Sequence, residues 1–363
     1  MSANGEIKTI GKEFIKNYFK DFNIEEDLSI IVTTENGIIL KPVPISCEWT
    51  TERKGSAGVL SFEVLKEQVE FTEGNRVSVS YKNIPFFVGY VFKKSRNKNG
   101  KIKVTAYDQL RYLKNNDTYV FKNVTATEII KMLAKDFNLK VGNLDDTKYK
   151  IVKRIEDNKS LFDMILYALQ ETLFYTKKEY IFYDDCGKLT LTNNEKLRLL
   201  DVSLDDNSAL DYSYESTIDS NTYNQIKLAR VNKEKGTIKI FMVKDPYNIK
   251  SWGILQYFKS IDEKVTDAKA KEKVENLIKL YNHKRRSFSM SGIFGDIRVR
   301  GGSSMLINLD VGDITVNNFM IVDKVTHKFE YQKHTMNIDF IGQMGIKEKT
   351  SGKTSQVTKT NVE

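Results

Sequence analysis

The chain has 363 residues, more than one ordinary core accommodates, so two or three domains are expected. Hydrophobic residues make up 40% and charged residues 29%, a balance that excludes a disordered chain and fits packed, soluble domains. The net charge of +9 comes from lysines spread along the whole length, which reads as a lysine-rich surface and not as a nucleic-acid stripe.

No run approaches the roughly 20 apolar residues of a membrane span. Met1 to Glu6 lack the charged start and apolar core of a signal peptide, so synthesis in the cytoplasm is expected. Cys47 and Cys186 lie far apart without a CxxC or CxxH context and read as free core thiols.

Taken in chain order, residues 6–22 place Ile7, Ile10, Phe14, Ile15, Tyr18 and Phe19 at helical spacing, which predicts an N-terminal amphipathic arm over 1–24. From residue 25 to 118 the pattern turns β. Ser29–Thr33 and Ile38–Leu40 flank Asn36-Gly37, a strong hairpin signal. Strands follow around Ile45–Thr50, Gly58–Val64, Arg76–Tyr81, Phe86–Phe92 and Lys101–Tyr107, with a turn at Asn97–Gly100. These predict one antiparallel barrel or sandwich.

Residues 119–203 differ. Thr125 with Glu128 three positions on is a capping box, and Ile129, Ile130, Leu133, Ala134 and Phe137 form an apolar helix face. A second helix begins near Ser160, with Leu161, Ile165, Ala168 and Leu169 inward. A hairpin then joins Tyr180–Tyr183 to Lys188–Thr192, so the segment is a small α/β insert.

The region 204–345 returns to β. Tyr223–Leu228 and Thr237–Phe241 read as a hairpin, and Asp262–His283 as a long helix. Strands are expected at Ser287–Ile293, Asp296–Arg300 and Gly312–Val316, and residues 346–363 read as a polar tail. The apolar template Val88, Val91, Ile102, Val104, Ala106 recurs with identical spacing as Val322, Val325, Met336, Ile338, Phe340. Each copy follows a glycine and an alternating run, Gly74–Val79 and Gly312–Val316, which marks strands with one buried face. A module present twice builds a quasi-symmetric object from few subunits and points to an assembly component.

No catalytic constellation emerges. Asp145-Asp146, Asp184-Asp185 and Asp205-Asp206 are adjacent acids in turns, where Asp bonds its own backbone. His283 closes a helix, His327 takes the position of Lys93 and should point outward, and His334 falls in the turn after it. None has zinc-ligand spacing. Trp49 and Trp252 read as packing residues. The candidate partner- or lumen-facing basic patch comprises Arg298, Arg300, Lys284, Arg285 and Arg286. Arg298 and Arg300 are expected on one strand face before Gly301-Gly302, and the other three at a helix C-terminus, where cations complement the backbone dipole.

The order of β module, α/β insert and β module with a long helix resembles the baseplate hub family of contractile phage tails, in particular the XkdQ-type hub of phage-like particles and tailocins. The resemblance spans residues 25–345. It rests on Thr125–Ile130 with Leu133-Ala134, on Ser160–Ile165 leading to Asp185–Leu191, on Tyr223–Leu228, and on Val311–Asp313 with Met320–His327.

The resemblance implies a β-dominated α+β chain with two tube-like antiparallel β-barrel or sandwich domains. It also implies a structural homotrimer, a pseudo-sixfold ring between a hexameric tail tube protein and a trimeric central spike protein. Further partners would be the tape-measure and baseplate wedge proteins, with nucleic acid at most passing through the lumen. No enzymatic activity and no cofactor or metal are implied, and the chain would reside in the assembled particle. Two other readings are a nucleic-acid-binding module using Arg298, Arg300 and His283–Arg286, and a tail-associated cell-wall hydrolase.

Overall fold

A computed structural model describes residues 7–8, 27–205, 207–232, 236–310, 314–330, 333–341 and 346–348. The chain falls into two compact units. The first gathers Met1–Ser213, Ser289–Leu309 and Val316–Ile341, the second Tyr214–Phe288, Asp310–Thr315 and Gly342–Glu363. The expected amphipathic arm lies outside the described residues except for Ile7–Lys8, and so does the polar tail after Glu348.

The first unit begins with strands β1 (Ile7–Lys8), β2 (Leu28–Thr33), β3 (Ile39–Leu40), β4 (Ser46–Glu52), β5 (Val59–Leu65), β6 (Arg76–Tyr81), β7 (Ile84–Arg96) and β8 (Lys101–Tyr107). The Asn36-Gly37 turn forms as expected, with Gly37 at a φ of +77° that glycine adopts without strain. Alternation buries one face of each strand, so Leu28, Ile30, Val32, Cys47, Trp49, Leu60, Phe62 and Val64 point into one core. Each such side chain contributes about 1.5–3 kcal/mol by leaving water.

The insert follows as β9 (Asn116–Thr125), α1 (Ala126–Asp136), β10 (Val141–Leu144), β11 (Lys150–Ser160), α2 (Leu161–Thr176), β12 (Tyr180–Asp184) and β13 (Leu189–Asn193). The capping box of α1 is complete. The Thr125 hydroxyl accepts from the Glu128 N–H at 3.2 Å, and the Glu128 carboxylate accepts from the Thr125 N–H at 2.7 Å. Replacing Thr125 by Ala is expected to cost about 1 kcal/mol, read as a shift of the urea midpoint with unchanged slope. The apolar faces of α1 and α2 meet over Ile129, Ile130, Leu133, Leu161, Ile165 and Ala168, all buried. The long β9–β11 ribbon was not legible beforehand, because its segments carry many charges and no regular alternation.

The chain continues through β14 (Arg198–Leu204) and β15 (Asp211–Thr217), then the second unit: β16 (Gln225–Asn232), β17 (Thr237–Lys244), α3 (Pro246–Trp252), β18 (Gln256–Ile261) and α4 (Asp267–Tyr281). Here β17, β16 and β18 form a three-stranded sheet. Helix α4 covers one of its faces through Ala270, Val274, Leu277 and Ile278 against Ile226, Leu228, Phe241 and Val243. It starts five residues later than expected, at the Thr266 cap whose hydroxyl accepts from the Lys269 N–H.

The remaining strands are β19 (Arg285–Phe294), β20 (Ser304–Asp310), β21 (Ile314–Glu330), β22 (Lys333–Ile341) and β23 (Ile346–Glu348). In the first unit the sheet order runs β1-β3-β2-β6-β7-β8-β5-β4-β21-β22-β19. The two copies of the template therefore share one sheet. They meet where β4 pairs antiparallel with β21, from Lys324 opposite Glu52 to Phe329 opposite Cys47. The fold is α+β and β-dominated, and of the barrel or sandwich expected from the alternation the closed barrel is not formed: among the described strands this sheet does not return on itself.

Nine of the ten template residues are buried; Val88 is half-buried. The hairpins nevertheless differ in register by three. Ala106 opposes Val91, whereas its counterpart Phe340 opposes Val322, the counterpart of Val88. The last pair before the first turn is Arg96–Ile102, and before the second Glu330–Lys333. Equal spacing thus encodes equal burial, and turn length decides the pairing.

Candidate assembly interface

The end of β4 is a knot of polar contacts inside the first unit. The Arg53 guanidinium donates to Glu179, just before β12, at 2.5 Å and to Asp323 of β21 at 3.0 Å. The Arg53 N–H donates to the Asp323 carbonyl at 2.7 Å, and the Thr50 and Thr326 hydroxyls meet at 3.0 Å. One arginine thereby ties the first β module, the insert and the second template copy. Burial alone would raise the Glu179 pKa, but the adjacent Arg53 and Lys54 charges hold it below the ordinary carboxylate value.

A few residues away lies a buried carboxylate pair. Asp108 accepts from the N–H groups of Gly58 and Leu110, and Asp184 accepts from the Gly187 N–H and from the Gln109 amide. Burial raises the pKa of both, and for Asp108 the neighbouring Asp184 raises it further. Of the acid pairs, Asp146 and Asp205 cap turns as expected, accepting from Lys148 and Asn207 two residues on. Asp145 instead bridges to Asn193 and Lys196. Asp206 lies outside the described residues.

The five candidate basic residues are divided between the two units. Arg298 and Arg300 belong to the first unit and Lys284, Arg285 and Arg286 to the second. The segment Asp296–Arg300 is a turn and not the expected strand, because Asp296 accepts from the Arg298 backbone N–H and folds it back. Arg298 is held by Asp296 at 2.7 Å and Asp201 at 2.8 Å, hydrogen bonds that raise its pKa. Arg300 stacks 3.9 Å above the Tyr183 ring and donates to the Asp184 carbonyl at 2.7 Å. It staples the β12–β13 hairpin, and little of it reaches solvent. Nor do the other three close the helix: α4 ends at Tyr281, and Arg285 and Arg286 open β19.

The histidines also depart from expectation. His327 is fully buried, stacked on Trp49 with ring centroids 4.9 Å apart. His334 is buried in β22, where it stacks on Phe329 at 4.3 Å. The two imidazoles meet at 2.9 Å, and His327 Nε2 lies 2.8 Å from the Val299 carbonyl. The outward orientation inferred from Lys93 fails because His327 is paired on both sides, with Met336 of β22 and Trp49 of β4, whereas the pairing of β7 with β6 ends at Tyr90 and Lys93 opposes only Thr105 of β8. Cys47 is a buried thiol as read, but Cys186 is half-buried in the β12–β13 turn. Among the described residues, no three His, Cys, Asp or Glu side chains gather as metal ligands, and no helix is long and apolar enough to cross a membrane.

The surface feature that stands out is apolar. In the second unit, the sheet face opposite α4 presents Ile238, Ile240 and Phe258, respectively 65%, 46% and 56% exposed, together with Val231. Register explains the grouping: Val231 opposes Ile238 and Ala229 opposes Ile240, so all four stand on one face. In the first unit Leu210 and Phe294 are almost fully exposed. Sheet faces of this kind mark protein contacts.

Residues 47–341 match the YQBQ-like protein family. The chain belongs to that family. Among YqbQ-like relatives it is 30% identical over 299 residues to the uncharacterized protein YqbQ of Bacillus subtilis, covering 81% of this chain and 89% of that protein. It is 27% identical over 275 residues to the phage-like element PBSX protein XkdQ of the same organism, covering 74% and 82%.

The fold of this YqbQ-like chain is that of prophage tail proteins. It superposes on a 43 kDa tail protein of prophage MuSo2 from Shewanella oneidensis with a TM-score of 0.62 at 14% identity, covering 86% of this chain and 98% of that one. It also superposes, with a TM-score of 0.52 at 7% identity, on an E. coli type VI secretion component described as structurally similar to the T4 bacteriophage tail proteins gp27 and gp5. That match covers 87% of this chain and 77% of the other.

Proposed function

We propose that the protein is a structural baseplate hub of a contractile phage tail or phage-like particle. In this reading it forms a homotrimeric, pseudo-sixfold ring that adapts the hexameric tail tube to the trimeric spike, and it contacts tape-measure and wedge proteins. The observation that carries the reading is the prophage tail-protein fold along nearly the whole chain, combined with a β template present twice. Three copies of a chain holding two related modules match sixfold symmetry.

Residues 25–118 and 204–345 would supply the two tube-like modules, 119–203 the insert, 1–24 an arm and 346–363 a tail. The apolar face at Val231, Ile238, Ile240 and Phe258 is the candidate contact between neighbouring subunits. Nothing in this role calls for a reaction or a cofactor, and the chain would reside in the assembled particle.

Light scattering on the chain, alone and co-expressed with its spike, tests this. Three copies per particle are expected, and the double variant Ile240→Lys/Phe258→Lys should shift the equilibrium to monomer without altering the fold. A stable monomer under both conditions overturns the hub reading.

A further inference from the structure

We propose that a cleft in the first unit binds an acidic peptide segment of a partner protein. The cleft, about 500 Å³, lies between β6, β7, the turn Gln109–Lys114, the end of α1 and the tip of the β12–β13 hairpin. That is the volume of a drug-sized ligand or of a few peptide residues. The inference stands apart from the hub reading, since it rests only on the walls of this cleft.

Three cations, Arg76, Lys140 and Lys188, line the cleft, and no carboxylate side chain does. None of the three makes an ion pair among the described residues, whereas Arg53 and Arg298 are each held by two carboxylates. Three unneutralised cations around one concavity focus a positive potential there.

The backbones that carry these cations are fixed before anything binds. The Gln109 side chain clamps Lys140 both ways, donating to its carbonyl at 3.2 Å and accepting from its N–H at 2.9 Å. Lys188 exchanges backbone hydrogen bonds with Asp185 at 2.8 and 3.2 Å. The hairpin tip is pressed onto β7, since a Cβ at Gly187 would lie 3.0 Å from the Val88 side chain. A binding site on such rigid elements loses little freedom when occupied.

Three aromatic side chains line the cleft as well. Tyr90 and Tyr112 meet edge to face with centroids 6.1 Å apart, and Phe137 closes the helix side. Carboxylates flanking an apolar side chain fit this arrangement: one bidentate on Arg76, others on the lysines, the apolar group on the rings. A nucleic acid would need cations along a track that follows successive phosphates, and here they surround a single hollow.

Cys186 lines the same cleft and is half-buried, whereas Cys47 is fully buried, so thiol labelling of the native chain reads the cleft. The test uses a fluorescein-labelled octapeptide of alternating glutamate and phenylalanine, titrated into the full chain at low salt. Binding is expected, with slower Cys186 labelling when the peptide is present. The variant R76E/K188E, which changes two exposed side chains, should weaken binding about tenfold or more and should gain affinity for the matching lysine–phenylalanine octapeptide. Lys140→Glu alone should weaken binding in the same direction. Absent binding, binding indifferent to these charges, or an unchanged Cys186 rate overturns the proposal. Tighter binding of a single-stranded DNA of equal length, lost in the same variants, would replace the peptide by a nucleic acid and overturn it as well.

Discussion

Replacing Gly301 by Ala is expected to destabilise the first unit by about 3 kcal/mol or more, the upper range of overpacking costs. A Cβ at this position would lie 2.3 Å from the Glu52 carbonyl carbon, 2.5 Å from the Arg53 nitrogen and 2.7 Å from the Glu52 oxygen. All three are backbone atoms at the end of β4, so no rotamer change relieves the clash. The Gly301 N–H also donates to the Thr51 hydroxyl at 2.9 Å, and that bond fixes the close approach.

The contacts to Glu179 and Asp323 leave from the adjacent Arg53, so pushing this strand end away also loosens the tie between insert and second template copy. Chemical denaturation measures the shift. Gly100→Ala serves as the comparison: its Cβ meets nothing within 4 Å, and its φ of +70° should cost only about 1–2 kcal/mol. An equal shift in both variants would show that the approach of Gly301 to β4 is not a constraint.

Acidification should weaken the same unit through the imidazole pair. The Val299 carbonyl can only accept, so His327 carries its proton on Nε2. Its Nδ1 then accepts from the Nε2–H of His334, and the Nδ1 of His334 is left as a buried, unpartnered lone pair. A further proton at His327 sets N–H against N–H, and one at His334 Nδ1 has no acceptor. Burial accordingly lowers the pKa of His327 to about 3 and that of His334 to about 4. Proximity of the partner imidazole also lowers that of His327. Around the pair, Asp296 favours protonation, and Arg300 near His327 and Lys82 near His334 oppose it.

The unfolded imidazoles titrate near 6.5, above both folded values. Stability is therefore complete above about pH 6.5 and falls as pH drops towards 4 and 3, by about 1.4 kcal/mol per pH unit per imidazole. By pH 5 the loss is about 2 kcal/mol for each. Urea midpoints between pH 7.5 and 5 measure it.

His334→Phe keeps the stacking on Phe329 but removes one titrating group, so this variant should start less stable and lose about 2 kcal/mol less between pH 7.5 and 5. Asp108 and Asp184, whose raised pKa values act with the opposite sign, are common to both proteins and cancel in the comparison. Equal slopes in the two proteins would refute the imidazole pair as the cause.

The two expectations differ in how much of them was visible beforehand. Gly301-Gly302 stands out in the sequence beside two arginines, and the pair forms a turn. Its purpose, letting two backbones approach within contact distance, depends on β4, some 250 positions earlier in the chain. His327 was misplaced because its environment was inferred from a template partner, Lys93, whose strand has different neighbours. Cys186 was misplaced for a related reason: a lone cysteine reads as core until the hairpin around it is seen to end at a cleft.

The amino-acid sequence by itself determined what depends on near neighbours: the capping box at Thr125, the turns at Asn36-Gly37 and Asn97–Gly100, the faces of α1 and α2, and the duplicated pattern of burial. Those features follow from residues a few positions apart, whose hydrogen bonds and periodicity are local. Only the tertiary structure decided that the two template copies share one sheet, that their hairpins differ in register, and that Arg300 is held against Tyr183 and the Asp184 carbonyl. Pairing between strands as distant as β4 and β21 leaves no local trace, because any strand with one apolar face can take either neighbour. Which pairing wins is set by the combined burial and hydrogen bonding of the whole unit.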